Sequence, residues 1–370
     1  GLGDVYKRQV FYNKVKVPKS AMLGKRGEGF KIAMNSLNVG RIKLGIAVTG
    51  ASKKIINYAI GYANERQQFK TPISSFGAIQ FKLAEMATKS YVADAGNYRC
   101  GQNIENNIKR LESEGLSLQD AKLQGVEEYA IECAILKVFS SEVVQYTSDE
   151  AVQIYGGMGF SAESEVEACY RDARISRIYE GTNEINRLLI VKMVLKKAVT
   201  GEIDFFGPAK NVAKELMSIP SFEEPSNEIF NEFKVVLKNL KKIILMVAGT
   251  ASEKLGIKIG EEQELMMNIS DMIIDTYMLE SALLKTEKLT YKEEPINNQE
   301  RISMCINFLH STIDKFQKNG KEAIYALLEG DEQKILLLGL KRFTKVKPDN
   351  LKEHRRSIAK KLIEENFYCF

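Results

Sequence analysis

Of the seven prolines in this chain, only Pro18 and Pro72 precede Pro208, so residues 73–207 run free of the residue that most strongly breaks a helix. Long helices fit there. From residue 30 to 62, Leu37, Leu44, Val48, Ala51, Ile55, Ala59 and Tyr62 recur at helical steps, and Ile79, Leu83 and Met86, then Ile131, Ile135 and Val138, keep the same period. The pattern predicts an all-α bundle whose apolar faces pack on each other. One segment differs: "FYNKVKVP" (11–18) alternates Phe11, Val15 and Val17 with polar residues and stops at Pro18, which predicts a single strand. A lone strand has no partner in the rest of the chain. It is therefore expected to be the remnant of a sheet whose other strands are absent. "GKRGEGF" (24–30) predicts a glycine turn into the first helix, and "NNIKRLESEGLSLQDAK" (106–122) a helix end and surface connection.

Around 200–228 the pattern changes, with "TGEIDFFGPAK" and "SIPSFEEPSN" clustering Gly, Pro, Ser and acids, so a domain boundary is expected near 205–225. Beyond it, 226–294 is again proline-free and helical in period, and 297–365 adds further helices. The length and the 44% hydrophobic content suit about two domains with sizeable cores.

Several function classes drop out. Apolar runs are too short and too often interrupted for a membrane span. Five scattered cysteines without a C-x-x-C pair favour core thiols in a reducing, cytoplasmic setting. With His310 and His354 the only histidines, no metal site is expected, and a Ser-His-Asp or Cys-His mechanism would have to use one of those two. A net charge of +5 without aromatic-interleaved basic stretches argues against nucleic acid. The basic stretch "KRFTKVKPDNLKEHRRSIAKK" (341–361) suits a solvated helix face, or a peripheral contact with the inner face of a membrane. The opening "GLGDVYKRQ" has neither Met nor signal-peptide character and resembles translated sequencing-adapter sequence, so the natural chain is expected to begin further upstream.

Four stretches could carry chemistry. "NVGRIKLG" (38–45) sets Arg41 on a helix of small and apolar residues, and "NERQQFKTPI" (64–73) gathers Arg66, Gln68 and Phe69 where a helix gives way to a turn. A guanidinium suits a pyrophosphate and a phenylalanine can lie on an aromatic ring, but a snorkelling or solvated arginine is the commoner meaning of each motif alone. "AVQIYGGMGFS" (151–161) ends a helix in Gly156 and Gly157, led by Gln153; a C-cap explains one glycine, and bare backbone open to a ligand would explain the rest. In "IYEGTNEINRLLI" (178–190) Thr182 suits an N-cap and Glu184 the first turn of the next helix. Glu180 remains unexplained, ahead of Gly181, whose freedom could fix an unusual carboxylate direction.

Taken in order, "FYNKVKVP", "GEGFKIAMNSLNVGR", "ERQQF", "FGAIQFKLAEM", "AVQIYGGMGF" and "RDARISRIYEGTNEINR" resemble the acyl-CoA dehydrogenase family from about residue 11 to 200, most closely its very-long-chain branch, whose members also carry a helical extension. The resemblance implies 1–10 as a sequencing or assembly scar, 11–28 as the end of a middle β-domain, 29–205 as the C-terminal four-helix bundle and 206–370 as the extra helical domain. It implies FAD as cofactor and α,β-dehydrogenation of long-chain acyl-CoA to trans-2-enoyl-CoA, as in fatty-acid β-oxidation. Glu180 is carried over as the base that removes the α-proton; the residue before Arg41, where some branches carry the base, is Gly40 here. Arg66, Gln68 and Phe69, together with Gln153, Gly156 and Gly157, match positions touching the FAD of a neighbouring subunit, and Thr182 and Glu184 match positions beside the flavin. Asn38, Arg41 and Gly181 match positions near the acyl-CoA. A homodimer or higher homo-oligomer and electron transfer flavoprotein as acceptor are implied as well. Because the family's N-terminal domain and most of its β-domain are missing, the chain is expected to be a C-terminal fragment, inactive alone. Two alternatives stay open: an acyl-CoA oxidase using the same base, and a non-catalytic helical interaction or oligomerisation module.

Overall fold

Stretches without proline become long helices. The computed structural model describes residues 11–218, 229–291 and 298–370; the opening "GLGDVYKRQ" and parts of the boundary region lie outside the described residues. Thirteen α-helices are present among them: α1 (Gly29–Glu65), α2 (Gly77–Ser113), α3 (Leu118–Glu128), α4 (Ala130–Tyr155), α5 (Gly157–Phe160), α6 (Glu165–Ile175), α7 (Asn183–Val199), α8 (Phe206–Leu216), α9 (Ile229–Leu255), α10 (Gln263–Thr290), α11 (Gln299–Leu327), α12 (Gly330–Phe343) and α13 (Leu351–Glu365). Pro72 sits just ahead of α2, and Pro208 in the first turn of α8, where its missing N–H costs no helical bond.

The first unit is built on α1, α2 and α4, whose apolar stripes meet along Ile56, Ile60, Leu83, Met86 and Leu136, all fully buried. Each such side chain contributes roughly 1.5–3 kcal/mol relative to exposure. Helices α3, α6 and α7 pack around these three. The polar 106–122 stretch, expected as a connection, ends α2 at Ser113 and then starts α3, capped by the Ser117 hydroxyl accepting from the Asp120 N–H at 3.2 Å. The remaining sheet is a two-stranded antiparallel hairpin, β1 (Gln67–Gln68) with β2 (Thr71–Pro72), turned at Phe69 and Lys70 with φ 53° and 67°. Phe11–Pro18 runs exposed and pairs with no other described segment.

The second unit, α8–α13, is laid against the first rather than strung from it: α10, α11 and α13 all pack on α2, and α10 on α7. Its own core centres on Leu240, Ile243, Val247, Met266, Met278 and Phe316. Asp94 of α2 accepts from Lys53 (2.5 Å) and from Lys285 of α10 (2.6 Å), and Arg355 of α13 donates to Glu85 at 2.7 Å. The end of α13 and the segment after it return to α1, where Asn57 accepts from the Tyr368 N–H at 2.6 Å and Asn64 donates to the Ile363 carbonyl at 3.1 Å. No described helix is long and apolar enough to cross a membrane.

Candidate active site

Between the end of α6 and the start of α7 the chain reverses in a short loop. Glu180 has φ 59° and Gly181 φ 82°. Two consecutive left-handed residues fold the backbone sharply, and for a glutamate this conformation is strained, so the surroundings must hold it. They do so at every carbonyl. The Glu180 carbonyl accepts from Arg41 Nε at 3.2 Å, the Gly181 carbonyl from Lys137 Nζ at 2.7 Å and Asn186 Nδ2 at 2.8 Å, and the Thr182 carbonyl from Asn186 Nδ2 at 3.0 Å. Thr182 caps α7 as expected, its hydroxyl accepting from the Ile185 N–H at 3.3 Å, and Glu184 lies in the first turn. Backbone hydrogen bonding holds the Glu184 carboxyl below its ordinary range.

The backbone reversal aims the Glu180 carboxylate onto α1, at Gly40. A Cβ at residue 40 would stand 2.5 Å from Oε2, 2.7 Å from Cδ and 2.8 Å from Oε1. Glycine leaves that space clear, and a side chain at residue 40 would make the carboxylate shift from this position. The next residue, Arg41, is 6% exposed and its guanidinium also donates to Asn38 Oδ1 at 3.1 Å. Burial draws Arg41 below its ordinary value, against the pull of Cys133 and Glu180. The structure thus brings Asn38, Arg41, Glu180, Gly181, Thr182 and Glu184 to one end of the bundle.

Sequence reading missed three residues there. Lys137, Asn183 and Asn186 are at most 1% exposed, and Lys137 Nζ bridges the Gly181 carbonyl and Asn183 Oδ1, each at 2.7 Å. The signal was present: Lys137 is flanked by Cys133, Ala134, Ser140 and Ser141 at helical spacing, a lysine on a core face. Burial, then the nearby Arg41 charge, push it down to about 8. A lysine that binds its proton less tightly folded than unfolded makes stability rise with pH from about 8 towards the ordinary lysine value. In Lys137→Met, denaturant melts across that window should show a shallower rise of stability with pH than the parent; an identical slope would refute the depressed lysine.

The other expected residues lie elsewhere. Tyr62 of α1 stacks on Tyr155 of α4 with centroids 4.0 Å apart, which sets the C-terminal ends of these helices side by side. Arg66 follows one end and Gly156 the other. Arg66, Gln68, Phe69, Gln153, Gly156 and Gly157 are all exposed, Phe69 by 87%, and the Arg66 side chain makes no ion pair or hydrogen bond among the described residues. Gly156 caps α4 with φ 61°, and nothing lies within 4 Å of a Cβ built at Gly156 or Gly157. Arg66, one position past the end of α1, lies 26 positions on from Gly40, about 39 Å along the helix axis.

A third constellation has the composition of a hydrolase triad without its wiring. Ser303 Oγ lies 2.9 Å from His354 Nδ1, and Nε2 lies 3.2 Å from Asp349. A nucleophile is served from Nε2 with the carboxylate on Nδ1, the reverse of this arrangement, and Ser303 is 1% exposed.

Two family models match the chain, both described as acyl-CoA dehydrogenase C-terminal domain, over residues 27–195 and 239–342. A probable acyl-CoA dehydrogenase of Bacillus subtilis is 39% identical over 361 residues, covering 98% of this chain and 61% of its own length. The very long-chain specific acyl-CoA dehydrogenase of Rattus norvegicus mitochondria is 30% identical over 363 residues, covering 92% of this chain and 51% of its own length. Among solved structures, an acyl-CoA dehydrogenase from Bacillus anthracis complexed with FAD superposes with a TM-score of 0.90 at 40% identity, covering 96% of this chain and 60% of that one. The chain therefore spans about half to three fifths of the length of these relatives.

Proposed function

The chain belongs to the acyl-CoA dehydrogenase family, and from that premise we propose that it is the C-terminal part of an FAD-dependent enzyme that oxidises long-chain acyl-CoA to trans-2-enoyl-CoA in β-oxidation, with Glu180 as the base. The observation that carries the reading is the Glu180 carboxylate, held in a strained left-handed conformation over bare Gly40. A surface acid needs neither the strain nor the cleared space.

The residues present fit a flavin dinucleotide. The Arg66 guanidinium, without a partner among the described residues, the projecting Phe69 ring and the open backbone of Gly156 and Gly157 offer a charge for a pyrophosphate, a face for an aromatic ring and room for close approach. When bound, FAD supplies the hydride acceptor for the substrate β-carbon. Glu180 takes the α-proton, the C–H electron pair becoming the new double bond as the β-hydride leaves. Arg41, Asn186 and Lys137 hold the carbonyls of its loop and so fix the backbone from which the carboxylate projects, and the reading assigns Asn38 and Arg41 to the thioester.

The distance of about 39 Å between Gly40 and Arg66 exceeds what one dinucleotide spans. Glu180 and the Arg66–Gly156 end of the same chain therefore serve different FAD molecules, and the active enzyme is at least a homodimer. Electron transfer flavoprotein is the proposed acceptor. In the intact flavoenzyme, Arg66→Ala should weaken FAD binding at least roughly tenfold, the loss of a charged hydrogen bond, read from flavin absorbance after gel filtration. Full occupancy at micromolar protein would remove Arg66 from the cofactor site. Reduction of bound flavin by palmitoyl-CoA without oxygen tests the activity itself, and peroxide formed on admitting air would mark an oxidase instead.

A further inference from the structure

We propose that Asp271, on α10 of the second unit, is a positioning residue for Glu180, acting through an unbroken hydrogen-bonded relay of Arg187, Glu142, Asn183 and Lys137 that ends on the Gly181 carbonyl. The inference rests on the reading of Glu180 as base, and it assigns the second unit a part in that chemistry.

The relay can be followed atom by atom. Arg187 Nε donates to Asp271 Oδ1 at 2.6 Å. The other two nitrogens of the same guanidinium fork onto Glu142, NH1 to Oε1 at 2.9 Å and NH2 to Oε2 at 3.2 Å. Glu142 Oε1 accepts from Asn183 Nδ2 at 3.1 Å, Asn183 Oδ1 accepts from Lys137 Nζ at 2.7 Å, and the same ammonium donates to the Gly181 carbonyl at 2.7 Å. Gly181 is the residue after Glu180.

Every link has a fixed polarity. Asn183 can face a carboxylate only with its NH2 and an ammonium only with its oxygen, so neither end tolerates an amide flip. The guanidinium is planar with donors in a rigid fork, so its three anchors on two carboxylates fix its plane. Asp271 supplies the one anchor that comes from outside the first unit. Without it the guanidinium is free to turn about the Glu142 fork, and the constraint on Asn183 and Lys137 loosens. The neighbouring acid one turn on, Asp275, is engaged separately by Lys315 at 3.0 Å, which leaves Asp271 to Arg187. Asn183 and Lys137 are at most 1% exposed, so water cannot replace a lost partner at those two links without a rearrangement, whereas the Asp271 and Glu142 side chains are 32% and 37% exposed.

Hydrogen–deuterium exchange on the intact flavoenzyme without substrate tests the relay apart from the chemistry. In Asp271→Ala, amides of 178–187 should exchange at least roughly tenfold faster although the substitution lies in the other unit, as expected when local opening becomes easier. Asp271→Glu should restore protection, and Glu280→Ala, which breaks the separate Arg99–Glu280 contact between α2 and α10 at 2.9 Å, should leave 178–187 unchanged. Unchanged exchange at 178–187 in Asp271→Ala, with faster exchange confined to α10, would overturn the proposal. Equal loosening by Glu280→Ala would overturn it too, reducing the effect to general packing. In the intact flavoenzyme, Asp271→Ala should slow flavin reduction by palmitoyl-CoA roughly tenfold with acyl-CoA affinity unchanged, the signature of a displaced base. Normal reduction in Asp271→Ala while Glu180→Gln is dead sinks the relay alone. Normal reduction in Glu180→Gln sinks the base assignment, and the exchange result then still decides whether Asp271 holds the loop.

Discussion

Glu180→Gln in the intact flavoenzyme should keep its FAD and its affinity for acyl-CoA yet reduce flavin roughly a thousandfold more slowly, within the usual range for removing a general base. The amide has the shape of the carboxylate and can still fit over Gly40, but it cannot accept the α-proton. Stopped-flow absorbance of the bound flavin after mixing with palmitoyl-CoA reads the step directly. A rate within a few-fold of the parent would eliminate Glu180 as base, and loss of flavin would instead give this residue a part in binding FAD.

Gly40→Ala should be nearly as harmful with no change to any charge. The added methyl carbon would fall 2.5 Å from Glu180 Oε2, closer than a Cβ atom comes to a non-bonded heavy atom, so the carboxylate has to shift from its position. A displacement of about 1 Å at a reacting group costs up to roughly a hundredfold in rate. The effect should depend on Glu180: in a Glu180→Ala background the conflict is gone, and alanine in place of helical glycine should stabilise the chain by up to about 1 kcal/mol. Thermal melts of the four proteins in this cycle check the coupling. Strict additivity would mean that the carboxylate does not occupy the space above Gly40.

That pairing shows what the sequence could and could not reveal. Proline spacing and apolar period were enough for α1, α2 and α4, because those helices are set by local pattern. Helix α3 was hidden in a polar stretch with two buried residues, Ala121 and Gly125, too few to print a period. At the site, motif order pointed to Glu180, Arg41 and Thr182. The left-handed φ of Glu180 was not legible, since Gly181 announced freedom for itself alone. Lys137 and Asn183 belong to elements 44 to 46 positions apart in the hydrogen bonds they make, and a one-dimensional pattern marks a buried polar position without naming its partner. The contact of α10 with α7 was beyond reach for the same reason, as was the separation of the Arg66–Gly156 end from the Glu180 end, which needed the length and straight run of α1.

The return of the chain to α1 after α13 has a consequence for synthesis. Asn57 and Asn64 find Tyr368 and Ile363 across 311 and 299 positions. At about 5–20 residues per second a ribosome needs roughly 15–60 s to make that interval, far longer than a helix takes to form. During this time the outer side of α1, and the side of α2 that α10, α11 and α13 will cover, stand open on a nascent chain. Tyr91, whose hydroxyl meets Thr286 of α10 at 2.9 Å in the finished fold, would be accessible to neighbouring polypeptides on the same message. The interval in which this protein is prone to aggregate is therefore set by translation speed rather than by the stability of the finished bundle, and slowing elongation should lengthen it while leaving the folded product unaltered.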